Sequence, residues 1–304
     1  MTVPFGIGEG AALATACVWA FSCQIHSQLS RVLGPTNLTL LRLPLAVLLL
    51  VIGCLISGAS MSISLQTFLF YALSGLFGVA LCDWLFYSAT ALLGPRVACV
   101  CQSFAACITA VLGLYLLDEE LGMAGAAGIG LATAGVVIVV TDGKGCADGA
   151  ATSAAERRRG VILALLSALA LSFGMLFAKK GLVDGGDPLF CAAVRTAVGA
   201  VILWPVAIAA GGLGSALHTL RTRGKVLFMT TAGALLGPGL GLWLSLVAIA
   251  NTNTGIAATL IGLEPVLLIP VNWMVVRRRP SLQAVVGSVV AFCGTALLLL
   301  RNAL

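Results

Sequence analysis

GVALCDWLFYSATA at residues 78–91 and GPGLGLWLSLVAIA at residues 237–250 are one passage written twice. At a shift of 159, the distance from 78 to 237, Gly78 falls on Gly237, Trp84 on Trp243, Ala89 on Ala248 and Ala91 on Ala250. Further along, Gly128 falls on Gly287 and Gly135 on Gly294. The chain has 36 glycines but only 5 tryptophans, so the tryptophan match carries the weight. Ahead of this block Arg42 pairs with Arg195 and Ser22 with Ser172 at shorter shifts, so the offset changes only where loop length changes it. Each copy holds five long apolar segments. A unit with an odd number of spans, placed twice in a membrane, must have its second copy inverted.

Composition decides the solvent. With 60% hydrophobic and 9% charged residues and a mean hydropathy of +1.10, the chain cannot keep the surface of a soluble globule wet. Spans of about 20 residues fit residues 7–28, 36–58, 67–92, 94–117, 122–141, 160–178, 188–210, 226–249, 253–276 and 281–300. The expected fold is therefore an all-α polytopic membrane protein of ten transmembrane helices, built as two inverted five-helix repeats. Residues 1–141 are the first repeat and 160–304 the second, with a flexible Gly/Ala/Ser-rich linker at 142–159. Joins such as Gly94-Pro95 are very short and leave no room for an extramembrane domain. The first segment has no basic residue ahead of it and is expected to be retained as a span rather than cleaved.

Ten cysteines give neither zinc spacing nor a disulfide framework. Nine fall inside spans, where a soft, small packing role is expected. The charges are lopsided. Twelve Lys and Arg lie at the joins after spans one, three, five, seven and nine, among them Arg157 to Arg159 and Arg277 to Arg279, while Lys179, Lys180 and Arg301 lie on the side of the termini. Basic residues stay in the cytoplasm, so both termini are expected outside. The net charge of +6 is then a topology signal, and no basic domain exists to bind nucleic acid.

Several passages resemble the EamA-like branch of the drug/metabolite transporter superfamily. They are Trp19 in the first span, Leu38 to Pro44 with Arg42, Gly75 to Ala91, Leu116 to Gly122 with its acidic ending at Asp118 to Glu120, and Gly128 to Gly135. The chain departs from the family at Arg277 to Arg279, where an acid is usual, and at Ala106, where the second copy has the family-like Pro265. The resemblance implies that spans one to four and six to nine enclose a cavity, which Trp19 would line, and that spans five and ten brace it. The family more often keeps both termini in the cytoplasm, against the charge count.

Ionisable residues inside spans mark candidate function, since a charge in hydrocarbon persists only with a partner or a wet cavity. Glu264 lies eleven residues beyond Asn253, about 16–17 Å along a helix and so near the midplane. Asn253 and Glu264 share a face, and Pro265 and Pro270 remove backbone donors just beyond. A broken helix beside a carboxylate suits a transport pathway, the alternative being a structural pairing. Asp83 has no acidic counterpart, since Leu242 stands at the repeat position; the fold does not demand it. Trp84 and Trp243 either fill the same gap twice or sandwich a flat substrate. Gln102 belongs to a small and polar stripe on the fourth span with Cys99 and Ser103. Arg42 and Arg195 either snorkel to headgroups or, more sharply, bind a substrate carboxylate. His26 and His218 fall near span ends. The stripe Gly233, Gly237 and Gly241 reads as close helix packing.

An intramembrane lipid-processing enzyme needs a nucleophile with a base, or a metal set, and a channel needs rings of charge or carbonyls; the sequence offers neither. The expectation is an inner-membrane secondary transporter, not an enzyme, moving a small organic metabolite such as an amino acid or related compound, outward, by alternating access. It needs no cofactor. Its partners would be the small-molecule substrate, protons as candidate coupling ion, and the bilayer, in a monomer or homodimer.

Overall fold

In the computed structural model the residues described are 6–105, 107, 108, 112, 122–141, 153–183, 186–209, 213–251, 260–276 and 281–300. Their regular elements are all helices. In chain order they are α1 (Ile7–Leu33), α2 (Pro35–Ser57), α3 (Leu65–Leu93), α4 (Pro95–Ser103), α5 (Gly122–Thr141), α6 (Ala154–Val183), α7 (Pro188–Ala209), α8 (Leu213–Thr222), α9 (Gly224–Asn251), α10 (Glu264–Val276) and α11 (Leu282–Leu300). Five are long and apolar enough to cross a bilayer: α2, α3 and α9, together with Ala154–Leu182 of α6 and Pro188–Pro205 of α7. Within α5 and α11, Ala127–Val139 and Leu282–Gly294 are shorter apolar helices.

Local chemistry explains where the boundaries depart from expectation. α1 runs on to Leu33 because its next interruption is Gly34 (φ 80°, ψ 152°), a conformation open to glycine, followed by Pro35 at the first position of α2. Gly94 (φ 83°, ψ 161°) and Pro95 repeat the device between α3 and α4. A Cβ on Gly34 would meet nothing within 4 Å, so Gly34→Ala should cost only backbone strain, about 1–3 kcal/mol, read as a lower unfolding temperature in detergent. The stretch expected as linker is helical from Ala154. Ser153 Oγ accepts from the Glu156 amide and Glu156 Oε2 from the Ser153 amide, both at 3.2 Å, a reciprocal cap that starts α6 early. The join expected after the seventh span contains a further helix, α8, with Arg221 in its last turn.

Both α3 and α9 widen into a π-helical segment, Leu76–Leu81 in the first and Leu235–Gly241 in the second. The two begin 159 positions apart, so the repeat seen in the letters is also a repeat in the backbone. Pro238 sits inside the second and denies it one amide donor.

Packing runs mainly between the halves. α1 pairs with α9 and α3 with α6, while α2 pairs with α7 and α5 with α11. The first two pairings are the same pairing with copies exchanged, which is what a two-fold relation between equivalent surfaces produces. It holds residue by residue. A Cβ on Gly135 would run into the backbone of Ala291, and one on Gly294 into the backbone of Ala132. Both glycines and both alanines are related by the 159 shift. Outward, Leu48, Val51, Ile52, Leu55 and Ile56 of α2 stay exposed, the apolar face a bilayer covers. Inside, buried hydroxyls turn back on their own helices, as Thr39 Oγ1 to the Pro35 carbonyl (2.9 Å) and Thr196 Oγ1 to the Ala192 carbonyl (2.7 Å).

The glycine stripe on α9 is a close approach to α1. A Cβ on Gly237 would lie 2.5 Å from Ser22 Oγ and 3.0 Å from His26 Cε1, while Cβ atoms on Gly233 and Gly241 would collide with His26 and Trp19. Gly237→Leu should therefore lose detergent stability and yield before any change in substrate preference, with Gly237→Ala milder because the Ser22 hydroxyl can rotate. A well-folded Leu variant with altered selectivity would show that this face lines the pathway instead.

Candidate functional site

The half-turn after the first π segment brings Asp83 to the inner side of α3, where Arg42 of α2 meets it in an ion pair whose Arg42 side is buried and whose Asp83 side is 20% exposed. Arg42 is only 2% exposed. Its other terminal nitrogen donates to the Tyr87 hydroxyl (3.1 Å), and the guanidinium lies 4.5 Å from the centre of the Tyr87 ring. Tyr87 Oη is 3.2 Å from His26 Nδ1, which is 3.0 Å from Ser22 Oγ. A continuous polar line therefore runs from Asp83 of α3 to Arg42 of α2, back to Tyr87 of α3 and on to His26 and Ser22 of α1. Each member holds the next, while Arg42 Nε and His26 Nε2 have no hydrogen-bond partner among the described residues.

Two expectations change here. Arg42 does not snorkel to headgroups; Asp83 neutralises it inside the protein. His26 is not at a span end, because α1 continues past it, and the side chain is fully buried against Gly233. Arg195, the repeat partner of Arg42, is likewise buried rather than at the membrane surface, with 1% exposure. Its Nη2 lies against Gly78, where a Cβ would come within 2.9 Å. Nε and Nη1 of Arg195 have no hydrogen-bond partner among the described residues. The asymmetry follows from the sequence, since the position matching Asp83 is Leu242, which packs into an apolar cluster with Leu50, Tyr71 and Leu246.

Glu264, first residue of α10, faces the opposite half of the chain. Its Oε1 accepts from Cys99 Sγ of α4 at 3.4 Å, and Cys99 Sγ is 3.1 Å from Cys23 Sγ of α1. Both cysteines belong to the buried apolar core, as expected of packing residues, and also sit beside the acid. Gln102, one turn on from Cys99, donates to Cys82 Sγ at 3.3 Å.

The tryptophans part company. Trp243 is partly buried against the Leu242 and Leu246 cluster. Trp84 is 37% exposed and donates from Nε1 to Thr36 Oγ1 at 3.1 Å. Trp19 is partly buried and packs on Gly241. Asn253 lies outside the described residues. Thus Asp83 and Glu264 belong to neighbouring polar groups in one interior, joined through α1, which contributes Ser22 and His26 to the first and Cys23 to the second. Sequence reasoning had Cys99 on the polar stripe of the fourth span but missed His26 and Cys23 as members; the spacing Ser22, Cys23, His26 on one helix face was the available signal.

Comparison with known proteins agrees with this architecture. A solved structure titled "Crystal structure of protein" superposes with a TM-score of 0.65 over 97% of this chain and 98% of that one, at 18% sequence identity, and so is similar in fold. No curated protein matches. The EamA-like transporter family model matches residues 6–141 and again residues 158–300. With both halves of the polar interior falling within those two matches, the chain belongs to the EamA-like transporter family and is a multi-pass membrane transporter of the drug/metabolite type.

Proposed function

We propose that the protein is a secondary transporter of ten spans in two inverted repeats, exporting a small organic metabolite across the inner membrane by alternating access, without a cofactor. The observation that carries this reading is the position of Glu264. A carboxylate on a second-half helix touches Cys99 and, through it, Cys23 of the first half, where relative movement of the halves would open and close around it. Glu264 is the candidate for proton coupling or for holding a substrate amine. Arg195, with two unsatisfied donors, is the candidate for a substrate carboxylate, and an amino acid or related compound is the proposed substrate.

The test is transport in proteoliposomes with and without a proton gradient. Glu264→Gln keeps the shape and removes the ionisable group, and is expected to leave a folded, inserted protein whose gradient-driven transport falls at least about tenfold, the effect of some 1.4 kcal/mol. Retained transport with an unchanged pH profile would assign Glu264 to structure. Arg195→Gln is expected to weaken apparent affinity for a carboxylate substrate while leaving its decarboxylated amine unaffected.

Orientation has its own test. With twelve basic residues against three, a reporter fused after Leu304 should behave as periplasmic or extracellular. Strong signal from a C-terminal reporter that matures only in the cytoplasm would give the opposite orientation.

A further inference from the structure

We infer that Cys23, Cys99 and Glu264 form a binding site for one thiophilic divalent cation, zinc or its heavier congener cadmium. The two thiols and a Glu264 carboxylate oxygen all lie within 4.8 Å of one another, although they come from α1, α4 and α10 and are 76 and 165 positions apart along the chain. Both cysteines are 3% exposed. Among the described residues Glu264 has no cationic partner, and its one hydrogen bond comes from a thiol, a weak donor. A carboxylate in an apolar interior with so little compensation is short of positive charge.

The ligand set selects the ion. Magnesium and calcium require oxygen donors, whereas two thiolates with one carboxylate suit a borderline or soft metal. Zn–S bonds of about 2.3 Å at a tetrahedral angle set the sulfurs about 3.8 Å apart, so the present 3.1 Å separation has to open by about 0.7 Å. Side-chain rotation on two helices can supply that. Three protein ligands leave the fourth tetrahedral position to water or to a ligand group. Binding replaces the two S–H protons by two S–metal bonds and releases both to solvent, together with any proton the Glu264 carboxyl holds when it becomes a ligand, with no change of oxidation state. An ion held there ties the first half, through α1 and α4, to α10 of the second. This inference does not depend on which substrate is carried, or on whether Glu264 couples to protons.

The test uses the purified full chain in detergent with a non-thiol reductant, titrated with cadmium while the thiolate-to-cadmium absorption band and the released protons are followed. One saturable site is expected, with at least the two thiol protons released. Cys99→Ser should weaken binding on the order of 100-fold or more, and Glu264→Gln about tenfold while a thiolate band persists. Cys54→Ser, a buried cysteine in a separate cluster, should bind as the unaltered protein does. Cadmium-113 NMR of the unaltered protein reads the ligand set without any variant, and a shift typical of two sulfurs with oxygen is expected. No saturable site, a shift typical of no sulfur or of four, or unchanged binding in a folded Cys23→Ser, Cys99→Ser double variant would each overturn the assignment.

Discussion

Asp83→Ala is expected to destabilise the protein by about 3–5 kcal/mol, because it leaves the Arg42 guanidinium buried with its counter-charge removed. Arg42 is 2% exposed. After loss of Asp83 it retains the hydrogen bond to Tyr87 and the contact with the ring, which hold a guanidinium in place without neutralising it. The double variant Arg42→Met, Asp83→Leu should recover most of the loss, since replacing both members of a buried pair by apolar groups of similar volume is often neutral. Leucine is a natural choice, because Leu242 already fills the corresponding place in the second repeat. Thermal unfolding in detergent, monitored by aggregation or by cysteine accessibility, makes the comparison. An Asp83→Ala protein as stable as the unaltered one, but deficient in transport, would place Asp83 in the pathway and remove it from the scaffold.

The second large effect belongs to the α5–α11 pair. Gly135→Leu should destabilise at the upper end of about 1–3 kcal/mol for an overpacked site, and even Gly135→Ala should be harmful. The obstacle is the backbone of Ala291, which has no rotamer to change, unlike the Ser22 hydroxyl facing Gly237. Gly130 provides the control on the same helix. A Cβ there meets nothing within 4 Å, so Gly130→Ala should be neutral or stabilising by up to about 1 kcal/mol through helix propensity. Equal behaviour of the two alanine variants would mean that α5 and α11 are not in close contact in the membrane.

The repeat was legible because it depends on residues that a fold cannot exchange freely. Gly135 and Gly294 recur since each lies against the other copy's alanine, and a bulky residue there would separate the helices. The two acids were legible for a different reason, being rare in hydrocarbon and costly. What could not be read was who meets them. Arg42 and Asp83 are 41 positions apart and Cys99 and Glu264 165 apart, and helix periodicity places each on a face without saying which helix that face meets. His26 was misjudged through a boundary, since extending α1 to Leu33 moves it from the rim to the interior. Helix α8 and the start of α6 were missed because their charged and small residues read as loop, while the Ser153–Glu156 cap is a four-residue signal that hydropathy averages away.

The wide turn in α3 also sets the azimuth of everything after it. One residue inserted into an α-helix rotates the remainder by about 100°, so the Leu65–Gly75 and Cys82–Leu93 parts of this helix present different faces than an unbroken α-helix would. Deleting a single residue between Leu76 and Leu81 would keep the span long enough for the bilayer and change its length by only about 1.5 Å. It would nevertheless swing Asp83 and Tyr87 together away from Arg42 and His26. The polar interior thus depends on a phase as well as on residue identities, and a one-residue length change in either π segment would be a coarser mutation than most substitutions among the side chains it aims.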